Sequence, residues 1–304
     1  MENIETIVSD LKKINNIIIK KNAPLSNYTT LKTGGPAAIL AIPSSISALK
    51  EMLLITRGLK KYIIGNGSNL LLPDSGLRGI VIRLSRGIND FECDGRKVVV
   101  GGGTLIQPLI RKLSNLGLSG LEFAIGIPAA TGGAIAMNMG ALGSEIGDLI
   151  EYVEIIDASG KKWKLCKADM KFSYRKSHIH DCIIVSACLK MRYKSEKDIK
   201  KKIAEYLAWR KQNQPISVPS AGSVFKNPKD VPAGKLIDMA GLKGLRIGGA
   251  EVSKKHANFI INLGDARTSD IKAIIRKVRT IIKEKFKVNL EIELVDSGQL
   301  NMLS

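Results

Sequence analysis

Ile63-Ile64-Gly65-Asn66-Gly67-Ser68-Asn69-Leu70-Leu71-Leu72 is an apolar run that enters a glycine-rich turn and leaves it as a second apolar run. Alternate glycines let successive backbone N–H groups point into one concavity, a nest for a diphosphate, to which Ser68 and Asn69 add donors. The same letters also suit an Asn-Gly hairpin turn between two paired strands. Neither usual nucleotide signature is present. Leu70 stands where G-x-G-x-x-G needs its third glycine, Gly101-x-Gly103 fails likewise at Ile106, and G-x-x-x-x-G-K-[ST] occurs nowhere. A dinucleotide held by this loop is held without a Rossmann turn or a P-loop.

Working outward, short β-branched runs at residues 62–64, 79–84, 98–100, 153–156 and 183–191 alternate with helical patterns at 46–56 and 105–116. A lysine-rich helical segment over 195–212 runs into Pro215 and Pro219 and marks a domain boundary. Beyond it, Ile271, Ile274, Ile275, Val278, Ile281 and Ile282 predict a helix over 269–286, capped by Ser269 or Asp270. Its other face, with Lys272, Arg276, Lys277, Arg279 and Lys283, reads as solvated. Residues 288–295 alternate and predict a strand, with Val288, Leu290, Ile292 and Leu294 on one face and Glu291 and Glu293 on the other.

The chain has 304 residues, enough for two domains, and its 44% hydrophobic content excludes intrinsic disorder. Four cysteines without C-x-x-C spacing make no disulfide scaffold. His178, His180 and Cys182 form the one local cluster of metal-ligand types; buried or half-exposed thiols in a reducing cytosol are the simpler account. The net charge of +19 is spread along the chain, as a soluble basic surface or as a funnel for phosphates and carboxylates. With 6 Phe, 6 Tyr and 2 Trp, it lacks the interleaved aromatics of a nucleic-acid binder. Residues 123–142 are uncharged over a membrane span's length, but four glycines, Pro128 and Asn138 spoil them as a lone helix. They read as a buried loop and short helix against a ligand. The N terminus reads as an amphipathic helix, not a signal peptide, so a soluble cytoplasmic protein is expected.

Polar clusters follow the first glycine loop. Gly126-Ile127-Pro128-Ala129-Ala130-Thr131-Gly132-Gly133-Ala134, continuing to Asn138-Met139-Gly140-Ala141, offers bare backbone to a flat ring or a pyrophosphate, or else tight helix–sheet packing. Phe172-Ser173-Tyr174-Arg175-Lys176-Ser177, Pro219-Ser220-Ala221-Gly222-Ser223-Val224-Phe225-Lys226-Asn227-Pro228 and the run from Gly241 to Ser253 set hydroxyls, amides and cations between glycines and prolines. Such composition suits an anionic, hydroxyl-rich ligand.

These motifs, preceded by Thr29-Thr30-Leu31-Lys32-Thr33-Gly34-Gly35-Pro36-Ala37, resemble in order those of the UDP-N-acetylenolpyruvoylglucosamine reductase family. Without a long insertion late in the chain, it is similar to the shorter of that family's two types. The resemblance implies an α+β protein: vanillyl-alcohol-oxidase-type (PCMH-like) FAD-binding domains plus a C-terminal α/β substrate-binding domain. Residues 1–28 would be an N-terminal helix and lead-in, 29–194 an FAD-binding region of two subdomains, and 195–304 the substrate-binding domain. The implied activity is NADPH-consuming reduction of UDP-N-acetylglucosamine enolpyruvate to UDP-N-acetylmuramate for peptidoglycan. The implied FAD is non-covalent, since no histidine precedes His178 and Cys93 lies outside the flavin motifs. Partners are the enolpyruvyl sugar nucleotide and NADPH, with no nucleic acid, membrane or metal, and the protein is expected to be a monomer.

Carried over by motif, Gly65, Asn66, Gly67, Ser68, Asn69 and Leu70 would hold FAD, as would Gly126, Ile127, Pro128, Thr131, Gly132, Gly133 and Ala134, and Asn138, Gly140 and Ala141. Arg175 matches the family's catalytic arginine, a permanent cation for the doubly negative enolate that hydride addition creates. Ser223 matches the donor of the proton to the α carbon, with cations such as Lys226 expected to acidify it. Glu293 matches a third catalytic residue, although Leu294, Val295 and Asp296 depart from the valine and arginine usual there, and Glu291 remains an alternative. Leu142 replaces an expected tyrosine. Tyr174, Gly222, Lys226, Asn227, Arg246 and Lys255 would bind substrate.

Overall fold

The computed structural model describes residues 4–84, 88, 90–300 and 302–303. Its first sheet orders the strands Ile17–Pro24, Pro36–Pro43, Leu77–Arg83, Lys61–Ile64 and Met302–Leu303. The three central strands run parallel, so each must cross over to reach the next. Along Pro36–Pro43, Ile39 and Ala41 face α1 (Ile4–Lys12) and α2 (Ile46–Ile55), while Leu40 and Ile42 join a second core with Ile64 and Leu72. Burial on both faces explains the unbroken apolar run there. The expected lead-in over 1–28 therefore also contains an edge strand, Ile17–Pro24, antiparallel to Pro36–Pro43.

The turn after Ile64 leaves the carboxyl end of a parallel strand, where open α/β sheets place their ligand crevice. It is no hairpin. Lys61–Ile64 belongs to the first sheet, whereas Leu70–Leu71 pairs in parallel with Val295–Asp296 near the other end of the chain. Gly67 has φ +67°, and a Cβ there would collide with the Tyr28 carbonyl, so only glycine fits.

The second sheet is antiparallel throughout, in the order Lys162–Cys166, Ile150–Asp157, Cys182–Lys190, Lys97–Gly101, Phe91–Asp94. The helices α3 (Ile106–Asn115), α4 (Thr131–Ala136) and α5 (Glu196–Asn213) contribute to its core. The uncharged stretch 123–142 resolves into buried Phe123, Ala124 and Ile125, a loop, and α4. α5 begins the segment expected to be the C-terminal domain, yet its Ile203, Tyr206 and Leu207 pack against this N-terminal core.

The third sheet is also antiparallel, in the order Ser220–Ser223, Phe259–Asn262, Ala250–Val252, Arg246–Ile247, with α6 (Ala233–Met239) and α7 (Thr268–Phe286) packed in its core. Ile271, Ile274, Ile275, Val278 and Ile282 of α7 are buried, as their spacing predicts. Its cap differs from expectation. Arg267 takes the cap position with Asp270 accepting from its N–H at 3.0 Å, while Asp74, 194 positions away, accepts from Thr268 N–H at 2.7 Å and Ser269 N–H at 2.9 Å. The predicted strand over 288–295 is an extended arm with one bridge, Ile292 to Phe225, before Val295–Asp296 pairs. It crosses from one body to the other and meets no continuous partner, so Leu290 and Leu294 are buried while Ile292 is exposed.

Candidate active site

One cavity of about 1350 Å³ lies where the three sheets meet. It exceeds the ~300–1,000 Å³ of a drug-sized site, room for a dinucleotide together with a second ligand. The first sheet supplies the loop Gly65–Leu70, and Gly126–Ala130 with Gly133 and Ala134 faces it. Asn66 ties the two together: its Nδ2 donates to the Pro128 carbonyl at 2.7 Å, and its Oδ1 accepts from Arg83 at 3.2 Å. A Cβ on Gly133 would meet nothing within 4 Å, so its bare backbone opens onto the space.

Arg175, Ser223 and Glu293 all line this cavity, brought there by separate parts of the chain. Arg175 sits in a tight turn closed by reciprocal backbone bonds between Ser173 and Lys176 (2.9 and 3.0 Å), at φ +58°. A non-glycine residue held in the left-handed region is strained, a feature that concentrates at functional sites. Its Nε donates to Glu293 Oε1 at 2.7 Å, with the two side chains 19% and 13% exposed. Gly140 makes room, because a Cβ there would lie 3.0 Å from Arg175 Nη1.

Glu293 is fixed through its backbone: its N–H donates to the Val224 carbonyl at 2.8 Å, and its carbonyl accepts from Asn69 Nδ2 at 3.1 Å. Burial pushes its carboxyl above the ordinary carboxylate range, and the nearby charges of Arg175 and Lys226 offset this only in part. The neighbouring Glu291 points to solvent and pairs with Lys226 at 3.2 Å. Of the two carboxylates that the sequence left open, Glu293 alone reaches the cavity.

Gly65, Asn66, Gly67, Ser68, Asn69, Leu70, Gly126, Ile127, Pro128, Gly133, Ala134, Gly140 and Ala141 line the cavity, as do Gly222, Asn227 and Lys255. Six expected residues stand outside its wall. Thr131 is buried with its hydroxyl on the Thr104 carbonyl, and Gly132 lies against the backbone of Gly102 and Ile184. Asn138 is fully buried and spends its amide on Glu145, the Ser173 carbonyl and Gly147 N–H, so it braces the turn instead of touching a ligand. Tyr174 is exposed beside Arg175, Lys226 is held by Glu291, and Arg246 turns back to the Gly248 carbonyl on an outer strand.

Sequence reading missed Arg210, His256, Lys235 and the tail residues Gln299, Leu300 and Met302, all of which line the cavity. Burial holds His256 below the ordinary histidine range. The polar run Lys255-His256-Ala257-Asn258-Phe259-Ile260, just after Ser253, holds a signal for His256; Arg210, inside a lysine-rich helix, has none. Among the described residues, no group of three or more His, Cys, Asp or Glu is placed to hold a metal, and His178 and His180 meet edge to face 6.2 Å apart on a loop. No cysteine lines the cavity, and no described helix is long and apolar enough to cross a membrane. A bare glycine backbone, paired loops and a buried guanidinium nitrogen on Arg210 without a partner fit an anionic flavin dinucleotide.

Comparison with known proteins yields two matching family models: an FAD binding domain over residues 37–165, and the UDP-N-acetylenolpyruvoylglucosamine reductase C-terminal domain over 214–295. The chain is 41% identical over 301 residues to the UDP-N-acetylenolpyruvoylglucosamine reductase of Bacillus licheniformis, covering 97% of this chain and 99% of that protein. It is 40% identical over 306 residues to the Bacillus subtilis protein of the same name, covering 97% and 100%. The crystal structure of UDP-N-acetylenolpyruvylglucosamine reductase from Thermus caldophilus superposes with a TM-score of 0.81 at 38% identity, over 92% of this chain and 98% of that one.

Proposed function

Because the chain belongs to the UDP-N-acetylenolpyruvoylglucosamine reductase family, we propose that its cavity reduces UDP-N-acetylglucosamine enolpyruvate to UDP-N-acetylmuramate, a step of peptidoglycan synthesis. FAD, when bound, supplies two-electron storage that links NADPH oxidation to reduction of the enolpyruvyl double bond. The loops at Gly65–Leu70 and Gly126–Ala134 would hold it, within an FAD-binding region over residues 29–194. The sugar nucleotide then lies against walls from residues 195–304.

Hydride addition at the β carbon drives negative charge onto the substrate carboxylate. Arg175 meets that charge. Its Nε is committed to Glu293, which orients the terminal amines toward substrate and keeps the guanidinium from swinging away. Ser223 donates its hydroxyl proton to the α carbon, and Glu293, raised in pKa by burial, can hold a proton beside the same centre. We further propose that the enzyme acts as a monomer in the cytoplasm; none of its four cysteines forms a disulfide, which suits a reducing compartment.

The observation that carries this reading is the Arg175–Glu293 pair, joined across the chain inside the cavity that Ser223 also lines. The test is an absorbance spectrum of the purified protein followed by NADPH oxidation with and without the enolpyruvyl sugar nucleotide. A yellow protein whose NADPH oxidation accelerates with that substrate supports the assignment. A colourless protein that takes up no FAD overturns it.

A further inference from the structure

The turn that carries Arg175 is pinned from behind the cavity wall. Arg175 sits at φ +58°, and the turn is closed by two backbone bonds, from Ser173 N–H to the Lys176 carbonyl and from Lys176 N–H to the Ser173 carbonyl. Strain of that kind persists only where the surroundings over-determine the backbone. Asn138 Nδ2 supplies one anchor, donating at 2.9 Å to the same Ser173 carbonyl and taking its second lone pair. The Ser177 hydroxyl supplies the other, donating to the Ala136 carbonyl at 2.8 Å. The Asn138 amide is itself fixed: Nδ2 also donates to Glu145 Oε2 at 2.7 Å, and Oδ1 accepts from Gly147 N–H at 3.1 Å. Two acceptors at the nitrogen and one donor at the oxygen permit a single orientation of that amide.

Asn138 is fully buried at φ +40°, a conformation that asparagine tolerates better than most side chains. Two residues on, a Cβ at Gly140 would lie 3.0 Å from Arg175 Nη1. The segment from Asn138 to Gly140 therefore meets the arginine twice: an amide holds the backbone before it, and a bare Cα leaves space for the guanidinium. A Cβ at Gly147 would lie 2.8 Å from Asn138 Oδ1 and 2.9 Å from Phe172 Cγ, so the amide and the start of the turn close on this glycine from two sides. Resting on the proposed function, we infer that Asn138 is a positioning residue for substrate reduction: it sets where the Arg175 guanidinium stands against the substrate carboxylate and takes no part in holding FAD. It governs the half-reaction in which the enolpyruvyl substrate reoxidises the flavin, because Arg175 meets developing charge only there.

The test is single-turnover stopped-flow absorbance on the FAD-loaded protein. Asn138→Gly accepts φ +40° and deletes the amide; Asn138→Asp keeps the shape and the acceptor for Gly147 but loses both donors. In each, FAD affinity and flavin reduction by NADPH should match wild type, while reoxidation by the enolpyruvyl sugar nucleotide slows by about 10², the cost of misplacing a catalytic group by about 1 Å. A double-mutant cycle separates positioning from general loosening. In an Arg175→Ala background, Asn138→Gly should slow reoxidation no further, and a full additional loss would overturn the proposal. Lost FAD affinity with a normal reoxidation rate at saturating FAD would return Asn138 to the cofactor and overturn it too. If neither Asn138 variant folds, Gly147→Ala decides, because it pushes the amide without removing a partner; it should slow reoxidation alone, and a wild-type rate would refute the inference. A wild-type protein whose NADPH oxidation does not accelerate with the sugar nucleotide would instead refute the functional reading, so the two failures are distinguishable.

Discussion

Gly140→Ala tests whether the placement of Arg175 sets the rate. A Cβ at this position would lie 2.9 Å from Glu145 Cγ, 3.0 Å from Arg175 Nη1 and 3.0 Å from the Ser144 carbonyl oxygen. Favourable contacts of carbon run at about 3.5–4.0 Å, so the neighbours must retreat by about half an ångström. The Ser144 carbonyl belongs to the small hairpin in which Gly140–Ala141 pairs with Ser144–Glu145, so the side chains must yield. A displacement of about 1 Å costs about 10² in rate, so a shift of half that size should cost about tenfold. Overpacking should also lower stability by about 1–3 kcal/mol. Stopped-flow absorbance separates the two half-reactions. Reduction of the flavin by NADPH should keep its wild-type rate and FAD content should be unchanged, while reoxidation by the enolpyruvyl substrate slows about tenfold. A wild-type reoxidation rate, or equal slowing of both halves, would refute the argument that Gly140 is small for the sake of the guanidinium.

Ser223→Ala should retain FAD and lose about 10²–10⁴ in substrate reduction, the usual contribution of a positioned acid; reduction at the original rate would remove Ser223 from its role. Gly67→Ala should abolish FAD uptake, because its new methyl meets the Tyr28 carbonyl, and a normally yellow variant would show that the loop does not depend on this turn. Because burial raises the Glu293 pKa above its unfolded value near 4.5, the native state binds this proton more tightly, and the stability it lends at low pH is lost as pH rises through the raised value. Denaturant unfolding of Glu293→Gln should therefore gain on wild type as pH climbs from below 4.5 to neutrality, and a constant difference would contradict the shift. For Asp74 the sign is opposite: burial alone would raise its pKa, but hydrogen bonds from Thr268 and Ser269 outweigh it and hold it below the ordinary value. Its stabilisation is present above the unfolded pKa near 3.8 and lost as pH falls through the lower folded one, so Asp74→Ala should cost about 1 kcal/mol at neutral pH and less in acid.

What the sequence revealed followed from the range of the physics involved. The strand before Gly65 and the apolar stripe of α7 are local patterns, and both stand where their periodicity puts them. The glycine turn looked equally like a hairpin because its two flanking runs find different partners, one of them more than 200 residues away at Val295–Asp296. The resemblance places Asn138 among the flavin-holding residues by motif. At φ +40° and fully buried, it is instead the brace that satisfies Gly147, Ser173 and Glu145. Arg210 had the reverse fate. The lysine-rich segment around it reads only as a charged connector, and the packing of α5 on the second sheet's core is what shows this side chain turning inward.

The arm from Leu290 to Asp296 carries the deeper lesson, because its alternation is real although it forms no continuous strand. Leu290 and Leu294 are both buried in the third sheet's core while Glu293 turns to the cavity, and Val295 packs on a core of the first sheet. The Glu293 N–H bonds to Val224, the residue after Ser223; its carbonyl takes Asn69 of the glycine loop; and Val295 N–H returns to the Asn69 carbonyl at 2.9 Å. The carboxylate paired with Arg175 is thus suspended between the Gly65–Asn69 loop and the strand that presents Ser223. The Gly65–Asn69 loop is therefore tied to Glu293, and through it to Arg175, by hydrogen bonds and one ion pair.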